Sequence, residues 1–220
     1  ADYCADLHSR HGVQLHCGAG VSEILCDENG QCSGVGLADG QHLDADMVLA
    51  GIGVSPDSEL ARQAGLAIDN GVLVSADYQT GQNNIWAIGD VARAPALSAI
   101  RIESIHHAQF SAAVVAAAIT EAQRPAAEAW WFWSDQYDVK FQMAGLVPTQ
   151  ATDQLVSVIR AGRRENSLSV WSWHNDQLVA IEAANDGQAY MIGKKCLEAG
   201  RHPRPQEIEN PSFALKSLLG

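Results

Sequence analysis

The chain has 220 residues, a formal net charge of −12 and a charged fraction of 18%. Because phosphate binding needs clustered Lys and Arg, this charge argues against a nucleic-acid partner. The hydrophobic fraction of 47% is typical of a globular protein, and no apolar run approaches the roughly 18 residues of a membrane-spanning helix. The first residues also lack a signal-peptide pattern, so we expect a cytoplasmic protein with no membrane partner.

Five cysteines are spread along the chain, and no two of them form a Cys-x-x-Cys pair. The spacing of a dithiol redox motif or of a zinc site is therefore missing. Cys17, Cys26 and Cys32 fall in segments that we predict to be strands, where a free cysteine behaves as a small buried hydrophobe. The sequence predicts neither a catalytic cysteine nor a metal site.

The first 56 residues have the pattern of one helix followed by short strands. The helix is predicted from Asp2 to Arg10, with Gly12 as its C-cap. The predicted strands, the last of them continuously apolar and therefore buried, are Val13 to Cys17, Ser22 to Cys26, Cys32 to Leu37 and Met47 to Ala50. Together they indicate the closing portion of a nucleotide-binding domain whose opening is not present.

The middle of the chain combines a short helix, a strand and a long helix. We predict the short helix from Ser58 to Ala64 and a buried strand from Asn84 to Ile88. The long helix is predicted from Ser104 to Ala122, with one apolar stripe formed by Ile105, Ala108, Ala112, Val115, Ala116 and Ile119. His106 and His107 are adjacent and cannot share a metal, and we expect them on the helix surface or at its cap.

Beyond Pro125 the pattern changes to alternating strands. They are predicted at Val139 to Met143, Leu155 to Ile159, Leu168 to His174 and Leu178 to Ala183, and a helix follows from Gln188 to Glu198. Asn175-Asp176 is a two-residue hairpin turn, and Phe213 to Leu219 is a short helical segment. Arg160, Arg163 and Arg164 are interpreted as a solvated hairpin tip. These elements predict a separate antiparallel α+β domain.

Two of the predicted strands are followed directly by glycine-containing turns. The first leads into Gly51-x-Gly53, which has Pro56 where a dinucleotide fingerprint would have its third glycine. The second leads into Gly89-Asp90, where a glycine allows close backbone approach and a carboxylate can accept a hydrogen bond from a sugar or ribitol hydroxyl. No complete Gly-x-Gly-x-x-Gly fingerprint occurs in the chain.

The two turns belong to a series of four sequence blocks. They are Gly51 to Pro56, Trp86 to Ala92, Arg101 to Ser104 with His107 to Gln109, and Trp131 to Asp138. With these blocks, which span nearly the whole chain, the sequence resembles the ferredoxin-reductase family of FAD flavoproteins that serve haem monooxygenases and ring-hydroxylating dioxygenases. The tryptophan-rich block at 131 to 138 is the most diagnostic of the four.

The resemblance implies a role for two elements that flank the flavin. In the turn Gly89-Asp90-Val91, Asp90 would hold the FAD ribitol. The helix start, with Ser104, Ile105 and His107, would point its free amides and positive dipole end at the flavin pyrimidine ring. Ile105 stands where many relatives carry tryptophan.

The resemblance also implies contacts on the other sides of the flavin. Trp133 would lie close to the isoalloxazine, shielding it or lining the route to the ferredoxin. Gly51, Gly53 and Pro56 would face the nicotinamide, and Asp57 stands where asparagine is usual. Because the cofactor carries the hydride chemistry, no catalytic protein residue is assigned.

The predicted fold is α/β plus α+β, with three segments. Residues 1–56 would end an NAD(P)-binding domain, 57–124 would end an FAD-binding domain, and 125–220 would form an antiparallel reductase C-terminal domain. The implied function is electron transfer from NAD(P)H through FAD to a two-iron two-sulfur ferredoxin. The sequence leaves the oligomeric state and the choice between NADH and NADPH open.

Two alternatives remain open from the sequence. One is a non-catalytic fragment or binding module that keeps a ferredoxin-docking or dimerisation surface. The other is a relative of the disulfide-reducing flavoproteins. Because both glycine-rich fingerprints are missing, we expect the chain to bind FAD weakly or not at all by itself.

Overall fold

The computed structural model describes residues 2–148 and 154–220. The chain divides into two compact units, one ending at Val54 and the other running from Ser55 to Gly220. The architecture is mixed α/β with antiparallel sheets, which confirms the predicted fold class. Within the described residues, no helix has the length and apolar character needed to cross a membrane.

The first unit consists of a helix and a three-stranded antiparallel meander. Its elements are α1 (Asp2–Arg10), β1 (Val21–Cys26), β2 (Cys32–Leu37) and β3 (His42–Asp44), with the sheet order β1-β2-β3. In the β1–β2 turn the carboxylate of Asp27 accepts the amides of Asn29 and Gln31 at 2.8 and 2.9 Å. Such local bonds favour turns, and the helix and both strands of this hairpin were correctly predicted.

Two predicted strands of this unit do not form. Residues 13–17 and 47–50 have no regular secondary structure, and Met47 and Leu49 are 84% and 93% exposed. A buried strand needs hydrogen-bonded neighbours on both sides and cover on both faces, and the described part of the unit supplies none to these segments. Cys17, in the first of these segments, and Cys26, at the end of β1, are both exposed, so the prediction that they are buried was wrong.

The second unit begins with short elements around a small apolar core. They are α2 (Glu59–Gln63), β4 (Val72–Leu73), a 3-10 turn (Gly89–Val91), β5 (Ala92–Arg93) and α3 (Ile105–Thr120). Strands β4 and β5 pair in parallel, and their core contains Val72, Val74, Tyr78, Ala92, Ala94, Val114 and Val115. The strand predicted from Asn84 to Ile88 was wrong, because this stretch makes only one bridge, between Gln79 and Trp86.

Helix α3 buries a different face from the predicted stripe. Ile105 and Ile119 are 58% and 61% exposed, whereas the buried residues are His106, His107, Ser111, Val114, Val115 and Ala117. Alanines lie all round this helix, so its hydrophobic pattern selects no single face. The packing partners of the helix therefore decide which side is buried.

The rest of the second unit is a five-stranded antiparallel sheet covered by helices. The strands are β6 (Trp131–Gln136), β7 (Val139–Gly145), β8 (Leu155–Ala161), β9 (Leu168–His174) and β10 (Gln177–Ala184), in the order β6-β7-β10-β9-β8. They are followed by α4 (Gly187–Glu198), α5 (Pro205–Glu209) and a 3-10 segment (Leu215–Leu219). The four predicted strands and the predicted helix at α4 are present, while β6 and α5 had not been predicted.

Two tryptophans and one arginine connect the sheet to the segments that pack on it. Trp171 and Trp173 are 0% and 1% exposed, and the indole of Trp173 donates to the Pro203 carbonyl at 2.7 Å. Burial of each aromatic side chain stabilises the fold by about 1.5–3 kcal/mol. Arg160 is not part of a solvated tip, because its guanidinium donates to the carbonyls of Ile208, Asn210, Pro211 and Phe213 at 2.7–3.0 Å.

Candidate cofactor site

The Gly89–Val91 turn presents an exposed carboxylate beside α3. Gly89 has a φ of +68°, a left-handed conformation that side chains rarely adopt. Its amide donates to the hydroxyl of Ser111 at 3.0 Å, while the side chain of Asp90 stands on the surface. The turn is therefore fastened to the helix through its backbone, and the carboxylate stays free for an outside donor.

Ser111 is a site-forming residue that the sequence analysis missed. It is 0% exposed, and its hydroxyl accepts from Gly89 while donating to the carbonyl of Ala108 at 3.0 Å. A serine inside an alanine-rich helix is the only sequence signal of this contact. The hydroxyl thus supplies an acceptor to the half-buried Gly89 amide in place of water.

At the start of α3 the amides of Ile105 and His106 have no acceptor among the described residues. Ser104 is the N-cap, and its hydroxyl accepts the amide of His107 at 3.1 Å. The first four amides of a helix lack intrahelical acceptors, so this cap satisfies one of them and leaves the amide of Ile105 for an outside acceptor. The positive end of the helix dipole adds a preference for negative charge there.

His106 and His107 lie in the interior, contrary to the prediction that they are surface or cap residues. They are 7% and 3% exposed. The ring of His107 lies 5.3 Å from Trp130 and 5.6 Å from Tyr78, between centroids. His107, predicted beside the flavin, therefore points its side chain into the protein and commits its amide to Ser104.

Burial lowers the pKa of both histidines below the ordinary value of 6.5. For His106 the carboxylate of Glu128, 3.3 Å from its Nε2, opposes this effect without cancelling it. For His107 a hydrogen bond with the Ile102 backbone and the charge of Asp90 raise the pKa, but the effect of burial is larger. Each ring is therefore held neutral by the fold at a pH where an exposed histidine begins to take up a proton.

We expect the free energy of unfolding to fall as the pH drops below about 6.5, because the unfolded chain then binds protons that the folded chain excludes. The contribution is complete above pH 6.5 and is lost as the pH falls through the lower folded pKa values. Urea unfolding at pH 7.5 and 5.5 measures it. His107→Gln should reduce the drop, whereas His42→Gln, at an exposed position, should not; equal drops in all three proteins would contradict the burial argument.

Trp133 belongs to an aromatic cluster at the start of the sheet. Its ring lies 5.4 Å from Trp131 and 6.2 Å from Phe132, and Trp131 lies 5.2 Å from His106 of α3. Trp131 also packs against the main core of the sheet. The cluster thus joins β6 to α3, and Trp133 is half-buried, as is Trp131.

The predicted nicotinamide-side residues fall in two different units. Gly51 and Gly53 lie in the first unit, in an exposed segment without regular structure. Pro56 is half-buried at the beginning of the second unit.

A cavity of about 200 Å³ lies between the segment that precedes α3 and the first two strands of the sheet. Trp130, Trp131, Phe132 and Met143 form its apolar wall, and Arg101 and Glu103 contribute polar groups. Pockets for drug-sized ligands have volumes of about 300–1,000 Å³. A dinucleotide therefore would not fit inside this cavity and would have to bind on the surface around Asp90 and the start of α3.

The residues around the turn fit a ligand with hydroxyl groups and a flat apolar part. Asp90 offers a free carboxylate, the start of α3 offers an amide, and the apolar side chains of Ile88 and Ile105 are 42% and 58% exposed. FAD combines a ribitol chain with an isoalloxazine ring, so these groups match its chemistry. Within the described residues, no cluster of side chains has the composition of a metal site.

Comparison with known proteins finds similar sequences along nearly the whole chain. A family model described as Pyridine nucleotide-disulphide oxidoreductase matches residues 1–112, and one described as Reductase C-terminal matches residues 131–219. Rhodocoxin reductase from Rhodococcus erythropolis is 33% identical over 99% of this chain and 50% of its own length. The chain thus spans about half the length of the curated relatives it matches.

Solved structures give the same picture. A ferredoxin reductase from Rhodopseudomonas palustris superposes with a TM-score of 0.91 at 35% identity, covering 100% of this chain and 54% of that one. The covalent complex of putidaredoxin reductase with putidaredoxin superposes with a TM-score of 0.90 at 30% identity, covering 99% and 52%. In both, the match leaves nearly half of the larger chain without a counterpart here.

Proposed function

Because the chain belongs to the pyridine nucleotide-disulphide oxidoreductase family, we propose that it is part of a flavoprotein oxidoreductase carrying electrons from NAD(P)H through FAD to a two-iron two-sulfur ferredoxin. The observation that carries the proposal is the Reductase C-terminal match at residues 131–219, next to a turn and helix start whose groups suit FAD. The similarity to ferredoxin reductases over the full chain supports the same function.

We assign the three segments of the chain to three parts of such an enzyme. Residues 1–56 would complete the nicotinamide domain, 57–124 the FAD domain, and 125–220 the reductase C-terminal domain. A cytoplasmic location is part of the proposal, since the five cysteines are all free and free thiols are typical of reducing compartments.

Bound FAD would supply the hydride and single-electron chemistry, so the protein's task is to bind and orient. Asp90, on the Gly89–Val91 turn, would accept a hydrogen bond from a ribitol hydroxyl. The amide of Ile105, beside the Ser104 cap, would donate to the pyrimidine ring and favour its negative charge.

Four further residues would bound the flavin on its remaining sides. Trp133 would keep water from the ring and line the exit towards the ferredoxin. Gly51, Gly53 and Pro56 would face the nicotinamide. The side chain of His107 would not contact the flavin. It would support the start of α3 by packing against Trp130 and Tyr78 in the interior.

The experiment that tests the proposal is a titration of the purified chain with FAD, followed by flavin fluorescence, with a visible spectrum after removal of excess cofactor. We expect saturable but weak binding, because the glycine-rich pyrophosphate cradles are missing. A fully occupied flavin spectrum would contradict the expected weakness, and the absence of any saturable binding would count against an FAD site in this chain.

Asp90→Ala should weaken FAD binding by about tenfold to a hundredfold, since a hydrogen bond to a charged group contributes about 1.5–3 kcal/mol. Glu165→Ala removes an exposed carboxylate in the connection between β8 and β9 and should leave the affinity unchanged. The same fluorescence titration compares the three proteins. Equal affinities for wild type and Asp90→Ala would remove Asp90 from the site.

The second candidate is a non-catalytic binding module, which is favoured by the lack of a complete Gly-x-Gly-x-x-Gly fingerprint in these 220 residues. Such a module would bind a two-iron two-sulfur ferredoxin without turnover. Ferredoxin binding by calorimetry, combined with no NAD(P)H oxidation in the presence of FAD, would select this alternative.

A further inference from the structure

Arg101 lies four residues before α3 and is almost completely buried. Its side chain is 5% exposed, and its Nη2 atom pairs with Oε1 of Glu103 at 2.5 Å. Its Nη1 atom donates to the backbone carbonyl of Asp90 at 2.5 Å. One guanidinium thus joins the turn that carries Asp90 to the segment that leads into the N-cap, Ser104.

The lack of a side chain at Gly71 makes room for the stem of Arg101 beside the turn. A Cβ atom at Gly71 would lie 2.9 Å from Cδ of Arg101 and 2.7 Å from the carbonyl oxygen of Val91. The absence of a side chain at position 71 therefore lets the arginine and the turn lie against the same stretch of backbone. Any larger residue there would have to displace one of them.

Burying the charge of Arg101 costs free energy, and the local contacts of its guanidinium offset this cost only in part. An ion removed from water costs several kcal/mol unless it is paired and hydrogen-bonded. Glu103 supplies the opposite charge and is itself 40% exposed, while Nε of Arg101 has no partner among the described residues. Arginine offers a rigid planar fork that can bridge two acceptors at once, which the single ammonium of lysine does not reproduce.

We propose that Arg101 is a positioning residue that sets the Asp90 carboxylate relative to the start of α3, so that both reach the same FAD molecule. The inference rests on the function proposed above for Asp90 and Ser104. The guanidinium acts through the backbone of Asp90 and does not touch the cofactor. The Gly89–Ser111 hydrogen bond holds the turn against the middle of the helix, and Arg101 holds the central residue of the turn, Asp90.

The test compares Arg101→Lys with Arg93→Lys in the full 220-residue chain. Arg93 is a matched control, because it also donates two hydrogen bonds to carbonyls, those of Ser98 and Ala99, both at 2.9 Å. Within the part of the chain that the structure describes, its side chain makes no hydrogen bond to Asp90. The cofactor-free readout is hydrogen exchange of the Ala92 amide, which donates to Gly89 across the turn.

We expect Arg101→Lys to speed exchange at Ala92 by about tenfold, the effect of losing one hydrogen bond of a charged group. The melting temperature and exchange at the Ala189 amide, which is bound to Asp186 in the sheet domain, should match those of Arg93→Lys. FAD affinity should fall about tenfold in Arg101→Lys alone. This separation of local exchange and affinity from global stability is what a positioning role predicts.

Two results would overturn the inference. One is equal exchange at Ala92 in the two variants. The other is a uniform rise of exchange that includes Ala189, which would mean that Arg101 only stabilises the fold. If no protein binds FAD while Ala92 responds as expected, the link between Arg101 and the turn stands and the proposed function fails separately.

Discussion

Gly145→Ala should destabilise the sheet domain by about 3–5 kcal/mol, the largest effect we expect from a single methyl group in this protein. Gly145 ends β7 with a φ of +82°, and a Cβ there would lie 2.0 Å from the carbonyl oxygen of Val179. Val179 lies at an irregularity of β10, because the pairing of β10 with β9 shifts register between Leu178 and Ala180. Backbone has to move, because no side-chain rotation relieves this collision.

Gly200→Ala is the matched control for Gly145→Ala. It has a similar left-handed φ of +61°, and a Cβ there would meet nothing within 4 Å. It should therefore cost only the conformational strain, about 1 kcal/mol. Thermal and urea unfolding of the two variants measure the difference. Equal losses would show that strain alone, and not the collision with Val179, decides the effect.

Ser111→Val should cost about 2–5 kcal/mol and also weaken FAD binding. The valine adds volume at a position that is 0% exposed. It also removes the hydroxyl, 3.0 Å away, that is the one acceptor of the Gly89 amide within the described part of the chain. A buried amide without a partner costs about 1–3 kcal/mol, and the turn would relieve this by moving away from α3, taking Asp90 with it.

Ala113→Val controls for the effect of a β-branched residue on the helix itself. Ala113 is exposed and lies two positions along the same helix, so its replacement should cost no more than about 0.7 kcal/mol. Urea unfolding and the FAD titration apply to both variants. If Ser111→Val lost stability but kept the wild-type FAD affinity, the turn would not depend on Ser111 for its position.

Local chemistry made several elements predictable. Asn175 and Asp176 have φ values of 52° and 60°, the left-handed pair that a two-residue hairpin turn needs. Helix α3 begins where expected because Ser104 caps it. In these cases the residues that determine the structure are neighbours in the sequence.

Elements that depend on distant partners were predicted less well. The apolar runs at 47–50 and 84–88 have the composition of buried strands but make no ladder. The relatives that match this chain are about twice as long, since the match covers 50% of rhodocoxin reductase. Composition shows that a segment is suited to burial, but pairing requires a neighbouring strand.

The candidate site divides in the same way. The sequence by itself determined the Gly89-Asp90 turn, the start of α3 at Ser104 and the presence of the tryptophan-rich block, although not its strand, because each is a short motif whose residues are adjacent. Only the tertiary structure decided that His107 points inward, that Ser111 holds Gly89, and that Arg101 reaches the Asp90 carbonyl. These contacts cross between segments, and the alanines around α3 left its buried face to be chosen by the partners that pack on it.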